Sequence, residues 1–134
     1  MSEENVESAR RAYAAFNQGG VDAILEYLDP EIEWRMWEQF SRDARVFNGH
    51  SGVREVLSVF EENFDEFGAK PHEFIVKGEC VVVPVQLHGS AKGTGEPASF
   101  ELVHVWTMVN ERASRLDVYD SIEAALTALE SPSD

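Results

Sequence analysis

The sequence predicts an α+β fold of two layers, in which helices cover one face of a strongly twisted, mainly antiparallel sheet. Before residue 29 and again in residues 53–67, apolar side chains recur every three or four positions, as on one face of a helix. Between residues 73 and 119 apolar and polar side chains alternate, as in half-buried strands. The chain has 134 residues, 43% of them hydrophobic, which is enough for one ordinary core. We therefore expect residues 1–134 to form a single domain.

Two helices are predicted at the start of the chain. The first ends at Gly19-Gly20, and its apolar stripe consists of Val6, Ala9, Tyr13 and Phe16. The second is brief because Asp29-Pro30 closes it, and its apolar residues are Val21, Ile24, Leu25 and Leu28. We expect the two to pack as a helical hairpin.

A strand and a loop should follow this hairpin. Three apolar residues alternate with charged ones, namely Ile32, Trp34 and Met36 with Glu31, Glu33 and Arg35. This strand should end near Trp37. Residues 38–48 fit neither period well, so we expect a loop there.

The longest helix is predicted to begin at a cap formed by Ser51 and to end at Gly68. Its apolar stripe consists of Val53, Val56, Leu57, Phe60, Phe64 and Phe67. Four strands should then form a meander, over residues 73–77, 79–90, 100–109 and 114–119. A short last helix, capped by Asp120 or Ser121, carries Ile122, Ala125, Leu126 and Leu129.

Charge and composition exclude several classes of function. Eleven basic residues against 25 acidic ones give a net charge of −14, which disfavours nucleic acids and anionic membranes as partners. The longest apolar stretch, residues 81–85, is far shorter than the about 20 residues that a membrane helix needs. The first residues lack a signal-peptide profile, and the single cysteine, Cys80, has no internal disulfide partner. We expect a soluble, cytoplasmic protein.

No metal or cofactor is predicted. His50, His72 and His88 lie in different segments and lack the spacing of zinc ligands. The glycines at 89, 93 and 95 are typical of a hairpin turn, and the chain contains no dinucleotide-binding or Walker motif.

Three segments, in this order, resemble the nuclear transport factor 2-like superfamily and, within it, the SnoaL-like group that includes polyketide cyclases. They are Arg11-Ala12-Tyr13-Ala14-Ala15-Phe16-Asn17-Gln18-Gly19, Phe47-Asn48-Gly49 leading into Ser51-Gly52-Val53-Arg54, and Glu101-Leu102-Val103-His104-Val105-Trp106. The resemblance implies a cone-shaped α+β fold whose curved sheet and helices enclose one deep pocket, commonly in homodimers. Members differ in activity and some have none, so function must be argued from the pocket residues.

Ketosteroid isomerase, a well-understood relative, matches this chain poorly at its reacting residues. Its tyrosine in the first helix falls on Ala12, one position before Tyr13, and its base falls on Met36. Its protonated carboxylic acid falls on His104. SnoaL-like cyclases use a histidine and an aspartate from two neighbouring strands, and the resemblance assigns these roles to His104 and Asp117.

His104 lies on an otherwise apolar strand face, beside Leu102 and Trp106. A buried imidazole there must be hydrogen-bonded, and it could donate to a substrate carbonyl or exchange a proton. The alternative is a core histidine satisfied by a neighbouring side chain.

Asp117 lies in mid-strand, where aspartate is disfavoured, so a compensating partner is expected. The resemblance turns Arg115, Asp117 and Tyr119 toward the cavity, with Asp117 as base, Arg115 orienting it, and His104 or Tyr119 stabilising an oxyanion. The alternative is that Leu116 and Val118 form the buried set and Asp117 belongs to an outer face. Asp120 is accounted for by helix capping, although a pocket position stays open for it.

The predicted function is binding of a small hydrophobic molecule, with cofactor-free acid/base isomerisation, cyclisation or hydration of a carbonyl compound as its enzymatic form. The catalytic candidates are His104, Asp117, Tyr119 and Arg115; the ligand-binding candidates are Tyr13, Trp34, Met36, Phe60, Phe64 and Trp106. The alternative is a non-catalytic binding or dimerisation module of the same fold.

A homodimer through the sheet is also predicted. Alternation leaves Val103, Val105 and Val109 on the face opposite His104, while the helices cover the other face. A second copy of the chain would bury this apolar face.

Overall fold

The computed structural model describes residues 2–36 and 46–130. Its helices are α1 (Ser2–Ile24), α2 (Gly49–Asn63) and α3 (Ile122–Glu130), with one 3-10 turn at Leu25–Tyr27. Its strands are β1 (Leu28–Met36), β2 (Val46–Asn48), β3 (Phe64–Pro71), β4 (Ile75–Lys77), β5 (Cys80–Ala91), β6 (Pro97–Val109) and β7 (Arg112–Tyr119). The expected strand end at Trp37 and most of the expected loop lie outside the described residues.

The described strands form one mixed sheet in the order β2-β1-β7-β6-β5-β3, and β4 pairs with the outer edge of β5. The contact between β1 and β7 is parallel, and every other pair is antiparallel. This α+β arrangement, with α1 as a long first helix and a curved, open sheet, confirms the predicted fold class.

The helices lie on both faces of the sheet. The main core joins α1 and α2 to the face that carries Trp34, Val83 and Trp106. A second, smaller core forms on the other face, where α3 covers Val103 and Val105. The prediction that helices cover only one face is therefore wrong, because the apolar side of α3 packs across the sheet from the other helices.

The two predicted helices are two segments of α1, which a kink at Gly20 separates. Gly20 interrupts α1 with φ +73°, a conformation that glycine adopts at little cost, and the chain then makes one 3-10 turn. Leu28 already belongs to β1, so the strand starts earlier than expected and Pro30 lies inside it.

The long helix ends five residues earlier than predicted, because Phe64 begins β3 and pairs with Ala91 of β5. An irregularity between Asp65 and Gly68, with Glu66 at φ 53°, brings the Phe67 ring to a stacked position 4.9 Å from Phe60. Because Phe67 packs against Phe60, its spacing in the sequence looks helical although it lies on a strand. The pairing of β3 with β5 overrides this local helical pattern.

Of the predicted helix caps, the one at α2 is wrong and one of the two at α3 is confirmed. The residue that caps α2 is Asn48, which makes no side-chain capping bond, so the assignment to Ser51 is wrong. At α3 the Ser121 hydroxyl accepts a hydrogen bond from the Ala124 N–H at 3.0 Å, which confirms one of the two predicted caps.

Asn17 fixes α1 against the edge strand β3. Its side-chain amide donates to the Ala69 carbonyl and accepts from the Ala69 N–H, both at 2.8 Å. This pairing satisfies the backbone N–H and carbonyl of Ala69 at the edge of the sheet. It also sets the depth at which Tyr13, one turn earlier on α1, enters the core. Across the described ranges, no helix is long and apolar enough to cross a membrane.

Candidate ligand-binding site

A cavity of about 50 Å³ lies between α1, α2 and the concave side of the sheet. Its walls are almost entirely apolar and aromatic. They are formed by Tyr13, Phe16, Ile24, Trp34, Met36, Val56, Leu57, Phe60, Phe67, Ala69, Leu87, Leu102, His104, Trp106 and Val118. This apolar and aromatic composition is typical of a site for a small organic molecule.

One wall carries a chain of hydrogen bonds between three buried side chains. The indole Nε1–H of Trp106 donates to the Tyr13 hydroxyl at 2.8 Å, and that hydroxyl lies 2.7 Å from Nδ1 of His104. The Tyr13 and His104 rings are also nearly parallel, with centroids 5.8 Å apart. These contacts connect His104 on β6 to Tyr13 on α1.

Hydrogen-bond satisfaction favours one tautomer of His104. An indole N–H can only donate, so the Tyr13 oxygen is an acceptor from Trp106, and among the described residues the Tyr13 proton finds an acceptor only if it points to Nδ1. In this arrangement Nδ1 is unprotonated and Nε2 carries the N–H. Among the described residues, none receives a hydrogen bond from Nε2.

The cluster is uncharged at neutral pH. Burial lowers the pKa of His104 to about 3, because the charged imidazolium would have to lie among apolar side chains. Burial also raises the pKa of Tyr13 well above its usual value, and the hydrogen bond from Trp106 offsets only part of this rise. The cavity therefore presents hydrogen-bonding groups without charge.

Trp34 of β1 supplies a further donor near His104. Its ring meets the imidazole edge to face, with centroids 6.0 Å apart, and the side chain is 6% exposed. Its Nε1–H is buried and has no hydrogen-bond partner in the part of the chain that the structure describes. Such an unsatisfied buried donor is unusual and requires an explanation.

The expectation that Asp117 faces the cavity with His104 is wrong. In the β6–β7 register His104 lies opposite Val118, and Asp117 lies opposite Val105, which belongs to the second core. Neighbouring residues of a strand point to opposite faces, so the cavity receives Val118 and the outer face receives Asp117.

Arg115 and Tyr119 share the outer face with Asp117. The Arg115 guanidinium donates two hydrogen bonds to the buried Asp117 carboxylate, at 2.8 and 3.1 Å, and this contact raises the pKa of Arg115. Burial raises the pKa of Tyr119, and the nearby charge of Asp117 adds to the rise. Arg115 thus provides the hydrogen-bonding partner that was predicted for Asp117, but the pair lies on the sheet face opposite the cavity.

Most of the predicted ligand-binding residues line the cavity, namely Tyr13, Trp34, Met36, Phe60 and Trp106. Phe64 does not; it contacts Phe100 and Phe67, and Phe67 takes its place in the wall. The sequence placed Phe60, Phe64 and Phe67 on one stripe, so no local signal showed which of the three would line the cavity. Asp120 is exposed, and the residue that caps α3 is its neighbour Ser121.

The outer face also carries Glu33 and Arg35 of β1, which form an ion pair at 2.9 Å. In the parallel register, Glu33 lies beside Arg115 and Arg35 beside Asp117. We find no cluster of metal-ligating side chains in residues 2–36 and 46–130.

Fold and cavity together define a protein of the ketosteroid isomerase-like class of α+β folds. A protein from Catenulispora acidiphila DSM 44928 with that fold, solved in complex with trimethylamine, superimposes with a TM-score of 0.71 at 13% identity over 94% of each chain. An NTF2-like protein of unknown function from Burkholderia pseudomallei K96243 gives 0.72 at 24% identity over 96% of this chain and 98% of that chain.

A more similar structure is that of TerC, crystallised with polyporic acid. It gives a TM-score of 0.75 at 28% identity, over 96% of this chain and 99% of TerC. The profile of the SnoaL-like domain matches residues 9–116. The chain belongs to the SnoaL-like domain family of the NTF2-like superfamily, as the sequence motifs predicted. No curated protein matches the sequence significantly.

Proposed function

We propose that this protein binds a small, uncharged and largely apolar molecule in the cavity around His104. The observation that carries the proposal is an apolar cavity whose polar groups, Tyr13 and His104, are neutral at pH 7. A charged ligand would lose its hydration without gaining a charged partner from the described walls. The net charge of −14 further disfavours nucleotides and other polyanions.

The comparison with TerC supports a small organic ligand, because that protein, at 28% identity, was crystallised with polyporic acid. The acid/base form of the prediction receives less support. It requires a base in the cavity, and none of the described lining residues is a carboxylate. His104 is itself a weak base, with a pKa of about 3 and its Nδ1 occupied by Tyr13. Binding without catalysis is therefore the function that the geometry favours.

Two neighbouring substitutions test the location of the site. Val118→Phe fills the cavity and should weaken the binding of 1-indanone, a small bicyclic ketone, by about tenfold or more. Asp117→Asn removes a charge on the opposite face and should leave the dissociation constant unchanged. Isothermal titration calorimetry measures both constants.

Thermal shift provides the selectivity control. 1-Indanone should raise the melting temperature of the wild-type protein, whereas AMP should not. Stabilisation by AMP, or equal loss of indanone binding in Val118→Phe and Asp117→Asn, would contradict the proposed site.

We further propose a homodimer through the part of the outer face that α3 leaves open. Val103 and Val105 no longer support a dimer, because α3 buries them. Val109 of β6 remains 49% exposed beside a strip in which Glu33, Arg35 and Arg115 supply charges of both signs. Such a strip can be self-complementary about a twofold axis.

Sedimentation equilibrium at micromolar concentration should give twice the chain mass of 15.0 kDa. Val109→Glu should shift the equilibrium toward monomer. The matched change Val59→Glu introduces the same charge at an exposed position of α2 and should leave the dimer intact. A wild-type protein that sediments as a monomer contradicts this proposal.

A further inference from the structure

We propose that Phe67 is the gate of the cavity and the residue that decides which ligands enter it. In the structure the Phe67 ring belongs to the wall that separates the cavity from solvent. An uncharged ring compound enters when that ring moves aside, and smaller molecules need no such movement. This inference rests on the proposed binding function and specifies how the site is reached.

The first observation is the small volume of the cavity. It measures about 50 Å³, whereas engineered apolar cavities that bind benzene measure about 150 Å³. A molecule with one aromatic ring therefore does not fit while every wall residue keeps its position. Because protein interiors are close-packed, the additional space must come from a wall side chain that moves outward. A ligand that selects such an open conformation makes it the dominant one.

The second observation identifies the part of the wall that can move. Every described lining residue is buried except Met36, Phe60 and Phe67, which are partly exposed. A side chain that contacts both the cavity and solvent can leave the wall without entering the packed core. The Phe60 and Phe67 rings are stacked with their centroids 4.9 Å apart, so they form one continuous part of the outer wall. We infer that the entrance lies at this pair.

The third observation is the irregular backbone that carries Phe67. In the pairing of β3 with β5, two residues, Glu66 and Phe67, lie opposite the single residue Gly89. This arrangement is a β-bulge, and Glu66 adopts a left-handed conformation in it, with φ 53°. A bulge interrupts the ladder of backbone hydrogen bonds, whereas Phe60 is held in the regular helix α2. Phe67 is therefore the member of the stacked pair that moves.

Two glycines make room for the bulge. A Cβ atom at Gly89 would lie 3.2 Å from the Asp65 carbonyl oxygen and 3.4 Å from the Cα atom of Phe67. A Cβ atom at Gly68 would lie 2.7 Å from Cε1 of His88. Neither glycine has a positive φ, so the missing side chain is what suits glycine to these positions. The sequence thus accommodates the bulge at two further positions, as expected for a feature that serves the site.

The association kinetics of 1-indanone test the gate. Trp34 and Trp106 line the cavity, so tryptophan fluorescence in a stopped-flow instrument reports its occupancy. Phe67→Ala should raise the association rate constant about tenfold or more and should tighten binding, because the open fraction limits both in the wild-type protein. Phe67→Leu should give an intermediate rate. A wall residue that only contacts the ligand would have the opposite effect, because its truncation would weaken the complex.

Two control variants separate the gate from other effects. Leu87→Ala enlarges the cavity at a buried position and should leave the association rate constant within about twofold of the wild-type value. Met36→Ala truncates the remaining partly exposed wall residue and should also leave the rate unchanged. The gate is overturned if either control accelerates binding as much as Phe67→Ala does, or if Phe67→Ala binds more weakly and no faster. Both results would leave the proposed binding function standing.

Acrylamide quenching tests the gate without a ligand. In a Trp37→Phe background the remaining tryptophans are Trp34 and Trp106, which are 6% and 1% exposed. Quenching should be weak in this background and should increase several-fold with Phe67→Ala, but not with Leu87→Ala. Quenching that Phe67→Ala leaves unchanged would overturn the gate. If 1-indanone bound none of the proteins, the proposed function would fail for this ligand, and the quenching result would still decide whether Phe67 controls access.

Discussion

Lowering the pH from 7 to 4 is expected to cost the folded protein about 3 kcal/mol of stability through His104 alone. The pKa of this side chain is about 3 in the folded protein and near 6.5 in the unfolded chain. Between these values the unfolded chain binds a proton that the folded protein does not bind. The free energy of unfolding therefore falls as the pH drops through this window and loses no more through this residue below about pH 3.

Urea unfolding at a series of pH values measures this effect against His104→Gln, whose amide can still accept a hydrogen bond from Tyr13 but does not titrate. Other groups contribute equally to both proteins, so the difference between the two curves isolates His104. Parallel curves for the wild-type protein and His104→Gln would show that the imidazole is not buried as described.

Tyr13→Phe is expected to destabilise the protein by about 3 kcal/mol, although it removes a single oxygen atom. The change leaves the Trp106 N–H without an acceptor and His104 Nδ1 without a donor, and each unsatisfied buried group costs about 1–3 kcal/mol. Tyr27→Phe is the matched control, because the Tyr27 hydroxyl forms no hydrogen bond within the described residues and this change should cost little. Chemical denaturation of the wild-type protein and the two variants at pH 7 measures these free energies of unfolding. Equal stability of Tyr13→Phe and Tyr27→Phe would contradict the buried hydrogen-bond chain of Trp106, Tyr13 and His104.

The two experiments concern the same physical condition, which is a polar cluster kept neutral inside an apolar cavity. If this hydrogen-bond chain is intact, a ligand meets the Tyr13 and His104 side chains in protonation states that do not change across the physiological pH range. Recognition in the cavity should then depend on hydrogen-bonding capacity and shape, and not on ion pairing.

Much of the fold follows from local patterns in the sequence. Period two in residues 100–109 placed His104 and Trp106 together on one face, and the structure agrees. The stripe with Ala9 and Tyr13 predicted the first helix, and Ser121 predicted the start of the last one. Each of these predictions depends on residues that are close together in the sequence, where the spacing of apolar side chains indicates which face is buried.

Other features depended on contacts that no local pattern encodes. Alternation in 114–119 allowed either Asp117 or its neighbours to face inward, and only the β6–β7 pairing put Val118 beside His104. The strand that begins at Phe64 continues the apolar spacing of α2, so pairing with β5 decided where the helix ends.

The site itself required the tertiary structure most of all. Tyr13 and His104 are 91 residues apart in the chain, and the hydrogen bond between them forms only when folding brings α1 to β6. The missing partner of Trp34 is likewise invisible in the sequence, since an indole N–H is satisfied or not only by what packs around it. Local patterns in the sequence were sufficient to predict the class of fold and the apolar character of the cavity. The polar chemistry of the site could be read only from the folded chain, because hydrogen bonds depend on atoms that folding brings together.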